Sequence, residues 1–387
     1  MALIDDTKEI LGELIAFPTV SSDSNLELIA HAADRLGALG AETRVLVDET
    51  GSKANLFATI GPERDGGIVL SGHSDVVPVA DQDWSADPFT MREADGRLYG
   101  RGTCDMKGFI AAVLAAAPLF ASRPLSRPLH VCLTYDEEVG CLGARKLVGD
   151  LAAMDIRPAL AIIGEPTEMR IIEGHKGCCE YTTVFRGLEG HGSVPDAGVN
   201  AVEYAVRYVA RLMELREVLK ARTPDGSRFE PPWTTLQVGR LSGGVAHNVI
   251  PGLASVDWEM RPVSEADRHF ICEQVDAYVA EELLPAMRAV HASADVVRHV
   301  IGEVAGLEPV DDNEARRIVA ALTGANGADV VSFGTEAGLF QQFGMSAVVC
   351  GPGSIAQAHK PDEFVEISQL QACLAMLTGL AGQLAAS

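Results

Sequence analysis

Short apolar runs recur along the chain, and each stops at residues that a dry core does not accept. Ile68, Val69 and Leu70 lead into GHSDVVP (72–78), and Leu129 to Thr134 into YDEEVG (135–140). Ala159 to Ile163 leads into GEPT (164–167), and Ala347 to Cys350 into GPGSIAQAHKPDEF. Apolar runs this short read as buried strands of a mostly parallel sheet flanked by helices. The polar residues at their ends lie where open α/β sheets carry their sites, in loops beyond the strand carboxyl ends.

The intervening segments fit an alternating α/β pattern. Two amphipathic helices are predicted between Asp6 and Gly40, then strands at 41–47 and 53–60, short strands around Asp95-Gly96, and GRGTCDMKG (100–108) running into an Ala-rich helix at 109–121. From Cys179 the order changes to strand, helix (200–220), two strands (234–241 and 253–261), helix (264–283) and a strand near 293–300. That β-α-β-β-α-β order is the split pattern of a ferredoxin-like α+β sandwich. The expected division is a catalytic domain of residues 1–178 and 304–387, with the sandwich inserted as 179–303. A helix at 312–323 and a closing helix from Ile367 complete the first domain.

With 387 residues and 47% hydrophobic content, the chain can bury a core in each domain. A formal net charge of −23, from 54 acidic against 31 basic residues, argues against nucleic acid or an anionic membrane as partner. Asp5 and Asp6 stand where a signal peptide is basic, and the apolar run Phe109 to Ala121, which contains Pro118, is shorter than the ~20 residues that cross a bilayer. A soluble cytoplasmic protein is expected. The eight cysteines show no C-x-x-C spacing and read as reduced. Cys104, beside Asp105, is the one expected nearest any chemistry.

Collected from the strand ends, His73, Asp105, Glu137, Glu138, Glu165 and His359 supply two imidazoles and four carboxylates. Mixed nitrogen and oxygen donors suit zinc, cobalt or manganese, and so many carboxylates exceed what one closed structural site uses. Two divalent ions ~3.5–4 Å apart account for them better, with one bridging carboxylate and a shared water as nucleophile. Asp105 is the expected bridge, His73 with Glu165 the ligands of one ion, and Glu138 with His359 those of the other. In the H-x-D of His73 and Asp75, the carboxylate is expected to orient the imidazole. Glu137 and Glu138 are neighbours that cannot point the same way from an extended segment, so one ligates and the other serves as general base. Gly243-Gly244 and Gly351 to Gly353 also suit backbone anion nests, but no G-x-G-x-x-G opens a helix, which argues against a dinucleotide-binding module.

Through GHSDVVP, GRGTCDMKG, YDEEVG and the late His359, the chain resembles the dinuclear-zinc aminoacylase, carboxypeptidase and desuccinylase family over nearly its whole length. Within that family GEPTEMRIIEGHKG, GHGSVPDAGVNAVE, GGVAHNVIP, DWEMRP and FGTEAGLFQ look most like the branch acting on acetylornithine. The resemblance implies His73, Asp105, Glu138, Glu165 and His359 as ligands of two zinc ions (or cobalt), Glu137 as the base, and Asp75 as the carboxylate orienting the first histidine. It implies hydrolysis of N-acetyl-L-ornithine to L-ornithine and acetate in arginine biosynthesis, with succinyl-diaminopimelate or a dipeptide as the alternative substrate. Asn248 and Arg261 are then expected on the substrate α-carboxylate, and Glu336 on its side-chain ammonium. The inserted domain becomes a lid and dimerisation domain of a homodimer, whose His191 serves the partner's site.

Overall fold

The computed structural model describes residues 2–386. They group into two compact units, the larger made of residues up to Gly174, Pro309–Val330 and those from Thr335 on, the smaller of His175–Glu308 with Val331–Gly334.

The larger unit begins with helices α1 (Leu3–Ile15) and α2 (Leu26–Gly37), then strands β1 (Glu42–Val47), β2 (Ala54–Ile60) and β3 (Ile68–His73). The hairpin β4 (Arg92–Ala94) and β5 (Arg97–Tyr99) precedes α3 (Lys107–Ala121), β6 (Leu129–Thr134), α4 (Leu142–Ala153), β7 (Leu160–Pro166) and β8 (Ile172–His175). In the smaller unit come β9 (Cys178–Arg186), β10 (Gly190–His191), α5 (Ala201–Ala221), β11 (Thr235–Gly243) and β12 (Val249–Ile250). It continues with β13 (Leu253–Arg261), α6 (Glu265–Tyr278), α7 (Leu284–Val290) and β14 (Asp295–Val304). The larger unit resumes with α8 (Glu314–Thr323), β15 (Asp329–Val331), α9 (Ala337–Gln342), β16 (Ser346–Gly351), β17 (Phe364–Glu366) and α10 (Ile367–Leu384).

Eight strands of the larger unit form one mixed sheet in the order β1-β2-β6-β3-β7-β16-β8-β15. Its centre is parallel: β3 pairs with β6 and β7, and β7 with β16, while β1 and β2 join antiparallel. Every residue of β3, β6 and β7 is buried, as apolar runs without alternation require. Helix α3 is buried almost all round, and its run of alanines lets it lie against α1 and α10. Gly164 in β7 permits a close approach, since a Cβ there would lie 1.9 Å from the Phe109 ring of α3.

The smaller unit has a four-stranded antiparallel sheet ordered β11-β13-β9-β14, the ferredoxin-like arrangement of the predicted strands. Tyr181 and Trp258 pack with ring centroids 4.5 Å apart, a pairing that contributes about 0.5–1.5 kcal/mol beyond the area buried. The helix predicted to end at 283 instead passes through a π-helical turn, Val279–Leu283, into α7. Pro285 permits this because it sits in the first turn of α7, where a missing N–H leaves no bond unmade.

His130 of β6 is 4% exposed, stacks on Phe57, and is held by burial at a pKa of about 4, below its ordinary 6.5. The unfolded chain therefore binds the proton first, and stability falls as pH drops from 6.5 towards 4. Replacing His130 by Gln should make the stability lost between pH 7 and pH 5 smaller by roughly 2 kcal/mol, measured by urea unfolding at the two pH values. An unchanged difference would show that the imidazole does not titrate this way.

Candidate metal centre

The carboxyl ends of β3, β6 and β7 deliver the predicted polar residues to one edge of the larger unit's sheet. Strand β3 ends at His73, whose Nε2 lies 3.0 Å from Asp105 Oδ1 and 3.6 Å from Glu165 Oε1. Asp105 lies two residues before Lys107, the first residue of α3, and its other oxygen, Oδ2, lies 3.3 Å from His359 Nε2. The same His359 nitrogen is 3.1 Å from Glu138. Asp105 thus stands between a His73–Glu165 half and a His359–Glu138 half. Oxygens of Glu137 and Glu165 with a nitrogen of His73 lie within 4.8 Å of one another, as do those of His73, Asp105 and Glu138.

The electrostatics follow from crowding acids in a dry place. Burial and then the charge of Asp105 push the Glu165 carboxyl well above its usual range. Burial likewise raises Glu137 to about 8, with Glu138, Asp105 and Asp75 adding to the effect and His73 opposing it. Glu138 is raised by burial and by Asp105. Burial alone would lower His73, but the charge of Glu165 and hydrogen bonds to Asp105 and Asp75 carry it well above 6.5. His359 is lifted to about 10 by its bonds to Asp105 and Glu138. Asp105, although buried, is held well below the carboxylate range by the two histidines. Glu165 Oε1 is buried without a hydrogen-bond partner, aimed at His73 across a gap too long for a hydrogen bond. A divalent cation suits that orphaned oxygen and the surplus of negative charge, so the residues fit metal ions.

Asp75 does more than the H-x-D spacing predicts. The nearer partner of His73 Nδ1 is the Asp75 backbone carbonyl at 2.9 Å, with the carboxylate at 3.5 Å. The carboxylate also accepts the N–H groups of Glu137 (3.1 Å) and Glu138 (3.4 Å) and the Ser21 hydroxyl (2.7 Å). It therefore fixes the turn that carries both glutamates, whose preceding residue, Asp136, has φ +52 and pairs with Lys53 at 2.7 Å.

Two side chains lie in settings the sequence did not show. Glu336, expected on the substrate ammonium, is 1% exposed and accepts hydrogen bonds from Ser71 (2.5 Å) and Thr134 (2.7 Å), one on each oxygen. Cys104 Sγ points to the Ser354 carbonyl at 3.3 Å; the thiol against the site is Cys141, whose Sγ is 3.4 Å from Glu137 Oε1. The spacing of Cys141, four residues after Glu137, is a helical-turn signal that the strand reading of this segment hid.

His191, Asn248 and Arg261 belong to the smaller unit. There β10 pairs with β12, and the Gly192 N–H donates to the Asn248 carbonyl at 2.8 Å, so His191 and Asn248 are neighbours. His191 is exposed, with Nδ1 2.7 Å from Ser193 Oγ, and the α5 helix is capped by Asn200, not by this histidine. Arg261 ends β13, about one-third exposed, with Nη2 3.2 Å from Glu259.

A mixed α/β sheet carrying two imidazoles and four convergent carboxylates defines a metal-dependent hydrolase. Residues 69–383 match peptidase family M20/M25/M40, and the chain belongs to that family. It is 40% identical to an acetylornithine deacetylase of Myxococcus xanthus over 95% of this chain and 94% of that one. It is 36% identical to an acetylornithine deacetylase of Proteus mirabilis, over 94% and 92%. Among solved structures, the fold is similar to aminopeptidase PepT from Bacillus cereus (TM-score 0.73, 18% identity, 98% of each chain). It is also similar to an M20 metallo-carboxypeptidase from Sulfolobus solfataricus (TM-score 0.71, 17% identity, 97% of this chain and 98% of that one).

Replacing Asp75 by Asn puts an amide donor against N–H or O–H donors. The glutamate turn should loosen, lowering metal affinity or turnover about 10–100-fold, as measured by calorimetric metal titration and steady-state kinetics. Wild-type values in both would remove Asp75 from any positioning role.

Proposed function

We propose that the chain hydrolyses N-acetyl-L-ornithine to L-ornithine and acetate, a step of arginine biosynthesis. The observation that carries this is the near full-length likeness, at 34–40% identity, to acetylornithine deacetylases from three organisms. The site supports it with ligands and a spare glutamate. His73 and Glu165 would hold one divalent ion, His359 and Glu138 the other, and Asp105 both; zinc, or cobalt, suits this donor set. When bound, the ions polarise the acyl carbonyl and acidify water. Glu137 takes the proton of the attacking water and delivers it to the departing amine nitrogen as the C–N bond breaks, a role that needs its carboxylate ionised, as the charge of bound cations would favour. Asp75 keeps Glu137 in register through its backbone N–H.

Arg261 and Asn248 are proposed to hold the substrate α-carboxylate, a role that suits a guanidinium only partly engaged by Glu259. The protein is proposed to act as a homodimer in which His191 of one protomer donates to the oxyanion in its partner's site; an exposed imidazole on a short strand is suited to reach outward. Eight unpaired thiols fit the reducing cytoplasm, and among the described residues no helix is long and apolar enough to cross a membrane.

Glu137→Ala should keep its metal and lose about 10²–10⁴-fold in kcat, whereas Glu138→Ala should lose an ion; equal metal loss in both would overturn the assignment. On a panel of acetylornithine, succinyl-diaminopimelate and dipeptides, chelation should abolish turnover and zinc or cobalt restore it. Acetylornithine should have the highest kcat/KM, and preference for either alternative would displace the substrate assignment. Mixing His191→Ala with Glu137→Ala protein should regain activity, because each mixed dimer holds one complete site. No recovery after demonstrated subunit exchange would sink the shared site.

A further inference from the structure

Glu363 contributes nothing to the metal centre as described, yet it is 1% exposed and accepts four hydrogen bonds from the loop that carries Asp105. Its Oε1 takes the backbone N–H groups of Cys104 (2.8 Å) and of Asp105 itself (3.0 Å). Its Oε2 takes the Gly102 N–H (3.1 Å) and the Arg101 guanidinium (2.7 Å). Arg101 is also 1% exposed and lies over the Trp84 ring at 4.9 Å. It donates further to the Lys360 carbonyl (3.3 Å) and to Gln82 Oε1 (2.6 Å), and Gln82 Nε2 donates to the His359 carbonyl at 2.9 Å.

One carboxylate therefore grips the amide of the residue whose side chain joins the two halves of the site. The arginine it holds grips the chain at and after the histidine of one half. That second grip falls on strained backbone, since His359 has φ +63 and Asp362 φ +54, conformations that non-glycine residues hold only when their surroundings impose them. A buried ion pair adds little net stability once its desolvation is counted, so geometry is the better account of what this one does.

We propose that Glu363 and Arg101 are positioning residues for the metal centre, fixing the distance between Asp105 and His359 and so the occupancy of the His359–Glu138 half. The proposal rests on Asp105 and His359 being metal ligands. Neither Glu363 nor Arg101 touches an ion or substrate; each acts through the backbone of a ligand.

The test uses the full chain stripped of metal and titrated with Co²⁺, followed by calorimetry and by the visible absorption of bound cobalt. Wild type should bind two ions and Asp105→Ala should lose tight binding. Glu363→Gln keeps the size but turns an amide towards donors, and should bind the second ion at least about tenfold more weakly, with an altered cobalt spectrum. Gln82→Ala, a change away from the core that serves if Glu363→Gln does not fold, should weaken the second ion and leave the first unchanged. If Asp105→Ala loses metal while Glu363→Gln and Gln82→Ala bind both ions as wild type does, and only the apo-protein melting temperature moves, the pair is merely structural and the proposal is overturned. If Asp105→Ala itself binds two ions normally, the ligand assignment fails, and the proposal with it.

Discussion

Like charges in a dry place repel, and everything at the sheet edge is arranged around that fact. Asp105, Glu137, Glu138 and Glu165 are gathered against two imidazoles, and burial drives three of the four towards protonation while Asp105 keeps its charge only through His73 and His359. Proteins do not accumulate such repulsion without a countercharge, and hydrogen bonding inside the protein leaves Glu165 Oε1 unsatisfied. The rest of the larger unit is a frame that holds the acids together: parallel strands supply the edge, α3 begins two residues after Asp105, and Asp75 and Glu363 clamp the two loops that carry Glu137, Glu138 and Asp105.

Much of this was legible in the sequence because buried parallel strands have no solvent face and announce themselves as unbroken apolar runs. β3, β6 and β7 were readable for that reason, and the convergence of the polar residues that follow them was readable because strand carboxyl ends share one sheet edge. The helix α4 was not readable. It starts at Cys141 in a left-handed conformation without a side-chain cap, includes Gly143 and Gly149, and carries no N-terminal signature of the usual kind. Gly143 is there for packing, because a Cβ would lie 2.5 Å from the backbone of Tyr135. α9, six residues long, is too short to show a period.

Side-chain destinations were harder to read than elements. Glu336 and Glu363 are both loop acids in the sequence, and composition gives no sign that hydroxyls await one and backbone N–H groups the other. Partners so remote in sequence, Ser71 and Thr134 for Glu336 and the loop at 102–105 for Glu363, exist only once the sheet has brought distant strands side by side. The same holds for Asp75, whose spacing from His73 suggested one bond while its carboxylate also holds the glutamate turn.

The position of β16 in the sheet sets an order of events during synthesis. It lies between β7 and β8, pairing Val349 with Ile163 and with Ile172, so the smaller unit is translated in full before the strand that separates these neighbours exists. Contacts that span so much chain close late, because the loop entropy must be met before they form. The smaller unit, whose sheet is made wholly from its own strands, can fold while the larger sheet still lacks β16. His359 follows that strand, so a nascent chain cannot bring this imidazole to Asp105 and Glu138 until almost all of it has left the ribosome, and the crowded acids meet their second histidine only as the last act of folding.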